Sequence, residues 1–105
     1  MKIIDMTELK PFFDHLSKEE LILDVRTEEE YAEGHVPGAM NISHEEVLGS
    51  VDELKKYNHI YIYCKAGGRA QVAAQMLNMS GIKNLTIITQ SGMYDWEEAG
   101  FPVAK

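Results

Sequence analysis

Residues 60 to 70 read Ile60-Tyr61-Ile62-Tyr63-Cys64-Lys65-Ala66-Gly67-Gly68-Arg69-Ala70. The β-prone run Ile60 to Tyr63 ends at Cys64, a short glycine-bearing loop follows, and Ala70 to Ser80 reads as a helix stopped by Gly81. Cys64 is the only cysteine in the chain. A cysteine between a strand and a helix lies where backbone N–H groups converge and the helix dipole turns its positive end. Lys65 and Arg69 bring two cations to the same loop. Both effects favour thiolate over thiol, so the segment reads as an activated sulfur nucleophile in an anion-binding cradle. Gly67 and Gly68 allow backbone dihedrals that other residues resist, which lets successive N–H groups point inward.

Outward from this loop, short apolar runs alternate with polar helical segments. Lys2 to Asp5 reads as a first strand, and Thr7 as the cap of a helix from Glu8 to His15, where Leu9, Phe12, Phe13 and Leu16 recur at helical spacing. Leu21 to Val25 is apolar except at Asp24, as in a strand covered on both faces. Thr27 reads as an N-cap with Glu28, Glu29 and Glu30 in the first turn, where acids suit the dipole; Gly34 ends that helix and Pro37-Gly38 turns the chain. Ala39 to Ile42 is a short strand and Glu45 to Tyr57 an amphipathic helix. Leu85 to Thr89 is the last strand, and Ser91-Gly92 leads into a short helix through Trp96. Strands alternating with helices predict a mostly parallel sheet flanked by helices on both faces. Ligands in such sheets bind beyond the carboxyl ends of the strands. Cys64, and Asp24 with Arg26, fall at such ends, so two distant segments are expected at one mouth.

Composition narrows the functions. The 105 residues suit one domain spanning positions 1–105, with 45% hydrophobic and 26% charged residues. A formal charge of −7 argues against nucleic acid as the main partner, and a local cationic loop in an acidic chain suggests a small anionic substrate held at one spot. No run approaches ~18 apolar residues, so no membrane span is expected. The N-terminus lacks the apolar run of a signal peptide, and one cysteine cannot form an internal disulfide; both fit the cytoplasm. The four histidines have no metal-ligand spacing, so neither a metal nor a cofactor is expected. His35 reads as a hydrogen bonder in its turn, Asp24 and Arg26 as a structural ion pair near the loop, with Glu30 a further candidate partner. Trp96 and Tyr94 read as packing the last helix on the sheet, with Met93 and Tyr94 candidates for the border of the mouth. Val72, Met76, Leu77 and Met79 read as helix packing.

The motifs form an ordered set. Asp24-Val25-Arg26, Glu30-Tyr31, Gly34-His35-Val36-Pro37-Gly38-Ala39 and Asn41-Ile42 resemble the first signature of the rhodanese family. The strand into Cys64 and the loop Lys65 to Arg69 resemble its active-site loop. Ser91-Gly92 with Trp96, Ala99, Gly100, Phe101 and Pro102 resembles its closing motif, except that Ser91 stands where the family usually has a glycine, which leaves the geometry of that turn open. The resemblance implies a rhodanese-like fold with a central five-stranded sheet. It also implies a sulfurtransferase that moves a sulfane sulfur from thiosulfate or a related donor, through a persulfide on Cys64, to a small-molecule or protein acceptor. Lys65, Ala66, Gly67, Gly68 and Arg69 would bind the donor, Arg69 either through its guanidinium or only as a cap on its neighbours. Certain Cys-dependent phosphatases and arsenate reductases share this architecture, but their loop is one residue longer, with arginine six positions after the cysteine. Here Arg69 is the fifth and Ala70 the sixth. A persulfide-sensing or regulatory module without turnover is the other alternative.

Overall fold

The computed structural model describes residues 1–105. Five strands, β1 (Lys2–Ile4), β2 (Glu20–Asp24), β3 (Met40–Asn41), β4 (His59–Tyr63) and β5 (Leu85–Ile88), form one sheet in the order β1-β5-β4-β2-β3. Every pairing is parallel. The expected sheet is therefore present, and it is wholly rather than mostly parallel. The helices are α1 (Lys10–Asp14), α2 (Glu28–Glu33), α3 (Val51–Leu54), α4 (Gly68–Met79) and α5 (Met93–Glu98).

Alternation along the strands builds two cores. On one face Leu21, Leu23, Ile60, Ile62, Leu85 and Ile87 pack against α3 and α4, where Ala70, Ala73, Ala74 and Leu77 form the inward stripe. On the other face Ile4, Ile22, Tyr61, Tyr63 and Ile88 pack against α5 and the segment leading to α1; Trp96 is fully buried there, flanked edge-on by Phe13 and Phe101. No helix is long and apolar enough to cross a membrane.

Three expectations need correction. The helix expected from Glu8 is a 3-10 turn, Met6–Leu9, running into α1; its N-cap is Asp5, whose N–H donates to the Glu8 carboxylate at 2.8 Å, and not Thr7. The amphipathic stretch from Glu45 to Tyr57 holds only a 3-10 turn, Val47–Ser50, and the single turn of α3, because Gly49-Ser50 interrupts helical geometry. Val72 and Met79 are largely exposed on α4 rather than packed; Leu77 is buried and Met76 packs partly against the core.

Candidate active site

β2, β4 and β5 all end on the same side of the sheet, and the residues singled out in sequence meet there. β4 stops at Tyr63, and Lys65 to Gly67 turn the chain into α4. That helix begins at Gly68, two residues earlier than its sequence suggests, with Gly67 left-handed at φ +108° as its N-cap. A side chain at Gly67 would also press on the backbone of Thr89, its Cβ 2.9 Å from the Thr89 Cα. The earlier start puts the N-cap and the third helical amide against the sulfur. Cys64 Sγ accepts N–H from Gly67 at 3.0 Å and from Ala70 at 3.4 Å. The N–H groups of Ala66, Gly68 and Arg69 donate to no acceptor in the chain. Cys64 is buried, and Lys65 and Ala66 beside it are exposed. The loop thus gives one sulfur two backbone donors, an arrangement that stabilises negative charge.

The two arginines do not share one role. Arg69 Nη1 and Nη2 hold Glu30 Oε1 and Oε2 at 2.6 and 3.0 Å, a two-toothed pair joining α4 to α2. The charge of Arg69 is thereby matched within the chain, the neighbour contact that was one of the two expectations for it. The Arg69 guanidinium, helped by N–H and O–H bonds from Thr27, holds the Glu30 carboxyl at about 2 against burial, and Glu30 in turn raises Arg69. Arg26 pairs with Asp24 as expected, through Nε at 3.0 Å and Nη2 at 2.7 Å, but Glu30 does not join them. Arg26 Nη2 also donates to the Gly34 carbonyl at 2.6 Å. Burial opposes the Arg26 charge, yet the Asp24 carboxylate outweighs it and raises Arg26.

Tyr63, next to the cysteine, ties this pair to β4. Its hydroxyl donates to Asp24 Oδ2 at 2.7 Å and accepts the Val36 N–H at 3.1 Å. Burial and the Asp24 charge raise the phenol, so it remains a donor. His35 fills the expected turn role: its Nδ1 lies 2.8 Å from the Tyr31 carbonyl and its ring stacks on Tyr31.

The back of the loop is fixed by the segment after β5. Met93 N–H donates to the Cys64 carbonyl at 3.0 Å, and a Cβ on Gly92 would collide with the carbonyls of Cys64 and Lys65. Ser91 settles its unusual turn by accepting the Met6 N–H at 2.8 Å and donating to the Thr89 carbonyl at 3.3 Å, while Gln90 takes φ +58°. A cavity of about 260 Å³ opens beside Lys65, and both Met93 and Tyr94 border it, with Arg26 behind. Tyr94 is exposed rather than packed on the sheet; Trp96 alone fulfils that expectation. Sequence reasoning gave Gly92, Tyr63, Glu33 and Glu97 no place in the site. The position of Ser91-Gly92 just past the last strand was the available signal for the first; the others are brought in only by tertiary pairing.

Fold and sequence converge on one class of domain. The chain belongs to the Rhodanese-like domain family, whose model matches residues 8–99. It is 40% identical over 75 residues to YrkF of Bacillus subtilis, whose name proposes a sulfur carrier; the match covers 71% of this chain and 40% of that protein. It is 34% identical over 76 residues to YtwF of the same species, whose name proposes a sulfurtransferase, with 72% of each chain covered. The rhodanese-like domain of the Anabaena protein Alr3790 superposes with a TM-score of 0.85 at 27% identity, covering 99% of this chain and 79% of that one.

Proposed function

We propose that this chain is a sulfurtransferase that carries a sulfane sulfur on Cys64. The observation that carries the reading is the seat of the sulfur: Sγ receives N–H from Gly67 and Ala70 in a six-residue loop whose Ala66, Gly68 and Arg69 amides are unengaged. These donors support a seat for a transferred sulfur atom bearing charge. With thiosulfate as donor, the Cys64 thiolate attacks the outer sulfur, the S–S bond breaks, and sulfite leaves with the bonding pair. The persulfide anion then lies among the free amides. A thiophilic acceptor, cyanide in the assay, attacks the terminal sulfur and returns the thiolate. Substrate and product alternate on one sulfur, so ping-pong kinetics follow. The protein supplies oriented donors and neighbouring charge. Lys65, exposed next to the nucleophile, meets the sulfonate of the donor, and Arg69 acts as a positioning residue through Glu30.

The deciding experiment is intact mass after thiosulfate treatment. The expected result is a gain of one sulfur atom, removed by cyanide with formation of thiocyanate and absent from Cys64→Ser. Aryl phosphate hydrolysis or arsenate reduction that depends on Cys64, with no sulfur gain, would overturn the reading in favour of the other chemistries of this architecture.

A further inference from the structure

We infer that the cavity beside Lys65 selects a zwitterionic α-amino thiol persulfide, of which cysteine persulfide is the smallest, as the sulfur donor; this rests on the sulfurtransferase reading and narrows its substrate. The first observation is Arg26. Its side chain is 7% exposed, and Nε and Nη2 are taken by Asp24 and the Gly34 carbonyl, but Nη1 has no partner in the chain. No side-chain nitrogen is both buried and unsatisfied, so Nη1 keeps some open surface, and Arg26 is one of the residues lining the cavity. A nearly buried guanidinium with one free N–H edge is built to receive a carboxylate oxygen.

The second observation is the opposite sign across the same space. Glu33 and Glu97 line the cavity, and Glu97 Oε2 lies 3.5 Å from the point where a Cβ on Gly34 would stand. Gly34 also lines the cavity, and its carbonyl holds Arg26 Nη2, so the Arg26 edge and the Glu97 carboxylate border one space. Asp24 balances Arg26 and Glu30 balances Arg69, which leaves Lys65 against Glu33 and Glu97. Such a wall offers a plain dianion only the Lys65 contact and matches better a molecule carrying both signs. At about 260 Å³ the cavity is below the usual range of about 300–1,000 Å³ for drug-sized ligands and suits one amino acid. In the transfer the Cys64 thiolate bonds to the outer sulfur of R–S–SH. The inner S–S bond breaks, the proton stays on the transferred sulfur, and R–S⁻ leaves with the bonding pair.

The test compares single-turnover sulfur gain on Cys64 from cysteine persulfide, N-acetylcysteine persulfide (no ammonium), cysteamine persulfide (no carboxylate) and thiosulfate. Cysteine persulfide should exceed each of the two truncated donors by about tenfold in the second-order rate constant for sulfur gain, the scale of one charge-assisted contact. In the double variant Glu33→Gln/Glu97→Gln, both positions exposed and so safe for folding, the ratio of cysteine to N-acetylcysteine donor should fall to within about twofold of one, while the ratio over the cysteamine donor persists. Equal rates from the three organic donors, or ratios that the double variant leaves unmoved, overturn the inference while the sulfurtransferase reading stands. No sulfur gain from any of the four donors removes both.

Discussion

Two glycines of the site face opposite demands. At Gly92 any Cβ meets the carbonyls of Cys64 and Lys65, which belong to the loop itself and have nowhere to retreat, since the Cys64 carbonyl is held by Met93 N–H. Gly68 has open space where its Cβ would stand and is the first residue of α4, with no positive φ. Gly92→Ala is therefore expected to cost about 1–3 kcal/mol of stability, the range for overpacking against groups that cannot yield, and to lower sulfur transfer by shifting the cradle. Gly68→Ala keeps the amide and removes unfolded-chain freedom, so it should leave transfer intact and raise stability by up to about 1 kcal/mol. Denaturant midpoints and thiocyanate formation on the two variants check this contrast. Equal losses in both would mean that the cradle depends on the glycine pair for another reason.

At the scale of elements, one carboxylate joins two helices. Glu30 accepts the N–H of Thr27 at 3.0 Å, closing the first turn of α2, and also holds Arg69 on α4. Its folded pKa of about 2 lies below the 4.5 of a free glutamate, so its contribution to stability is full above about 4.5 and is lost as pH falls toward about 2. Glu30→Gln should accordingly be less stable than the parent at pH 7, by about 1–3 kcal/mol, the scale of hydrogen bonds to a charged group. The gap should close as the pH is lowered from 5 to 2, which urea titrations across that range measure. A gap that stays constant would show that the pair carries no linked proton. This pair also marks how far sequence reads. The Thr27 cap was legible because its partners are three residues apart, and the strands were legible as apolar runs between glycine and polar breaks. Cys64 and its loop were legible for the same local reason. The partner of Glu30 lies 39 residues away, so nothing local favoured Arg69 over Arg26. Propensity starts α4 late because glycine is a poor helix former, yet Gly68 occupies the first position of the helix, where its amide needs no helical carbonyl. Met79 and Val72 have helical spacing and apolar side chains, but the core stripe on α4 is made of smaller residues, Ala70, Ala73 and Ala74, which let the helix lie close to the sheet and leave the larger ones outside.

On the scale of the whole molecule, charge and size set how a dianion arrives. The formal charge is −7 and the longest dimension 35 Å. At 0.01 M ionic strength the screening length is about 30 Å, so an approaching thiosulfate feels the acidic surface as a whole; at 0.1 M it is about 10 Å, and only the groups around the mouth remain. Near that mouth both arginines are paired and Lys65 is the cation left without an internal carboxylate. The long-range field therefore repels the donor while the short-range field of Lys65 attracts it. The expected outcome is that kcat/KM for thiosulfate rises about twofold to fivefold between these two ionic strengths, opposite to the fall that a locally steered reaction would show. A donor without net charge should respond little. Lys65→Ala should lower kcat/KM for thiosulfate at both salt concentrations and steepen the rise, because only repulsion is then left to screen. Initial rates for the parent and Lys65→Ala at several ionic strengths decide the matter. A parent rate that falls with salt, and loses that dependence in Lys65→Ala, would show that Lys65 governs the encounter over the distance of the whole surface.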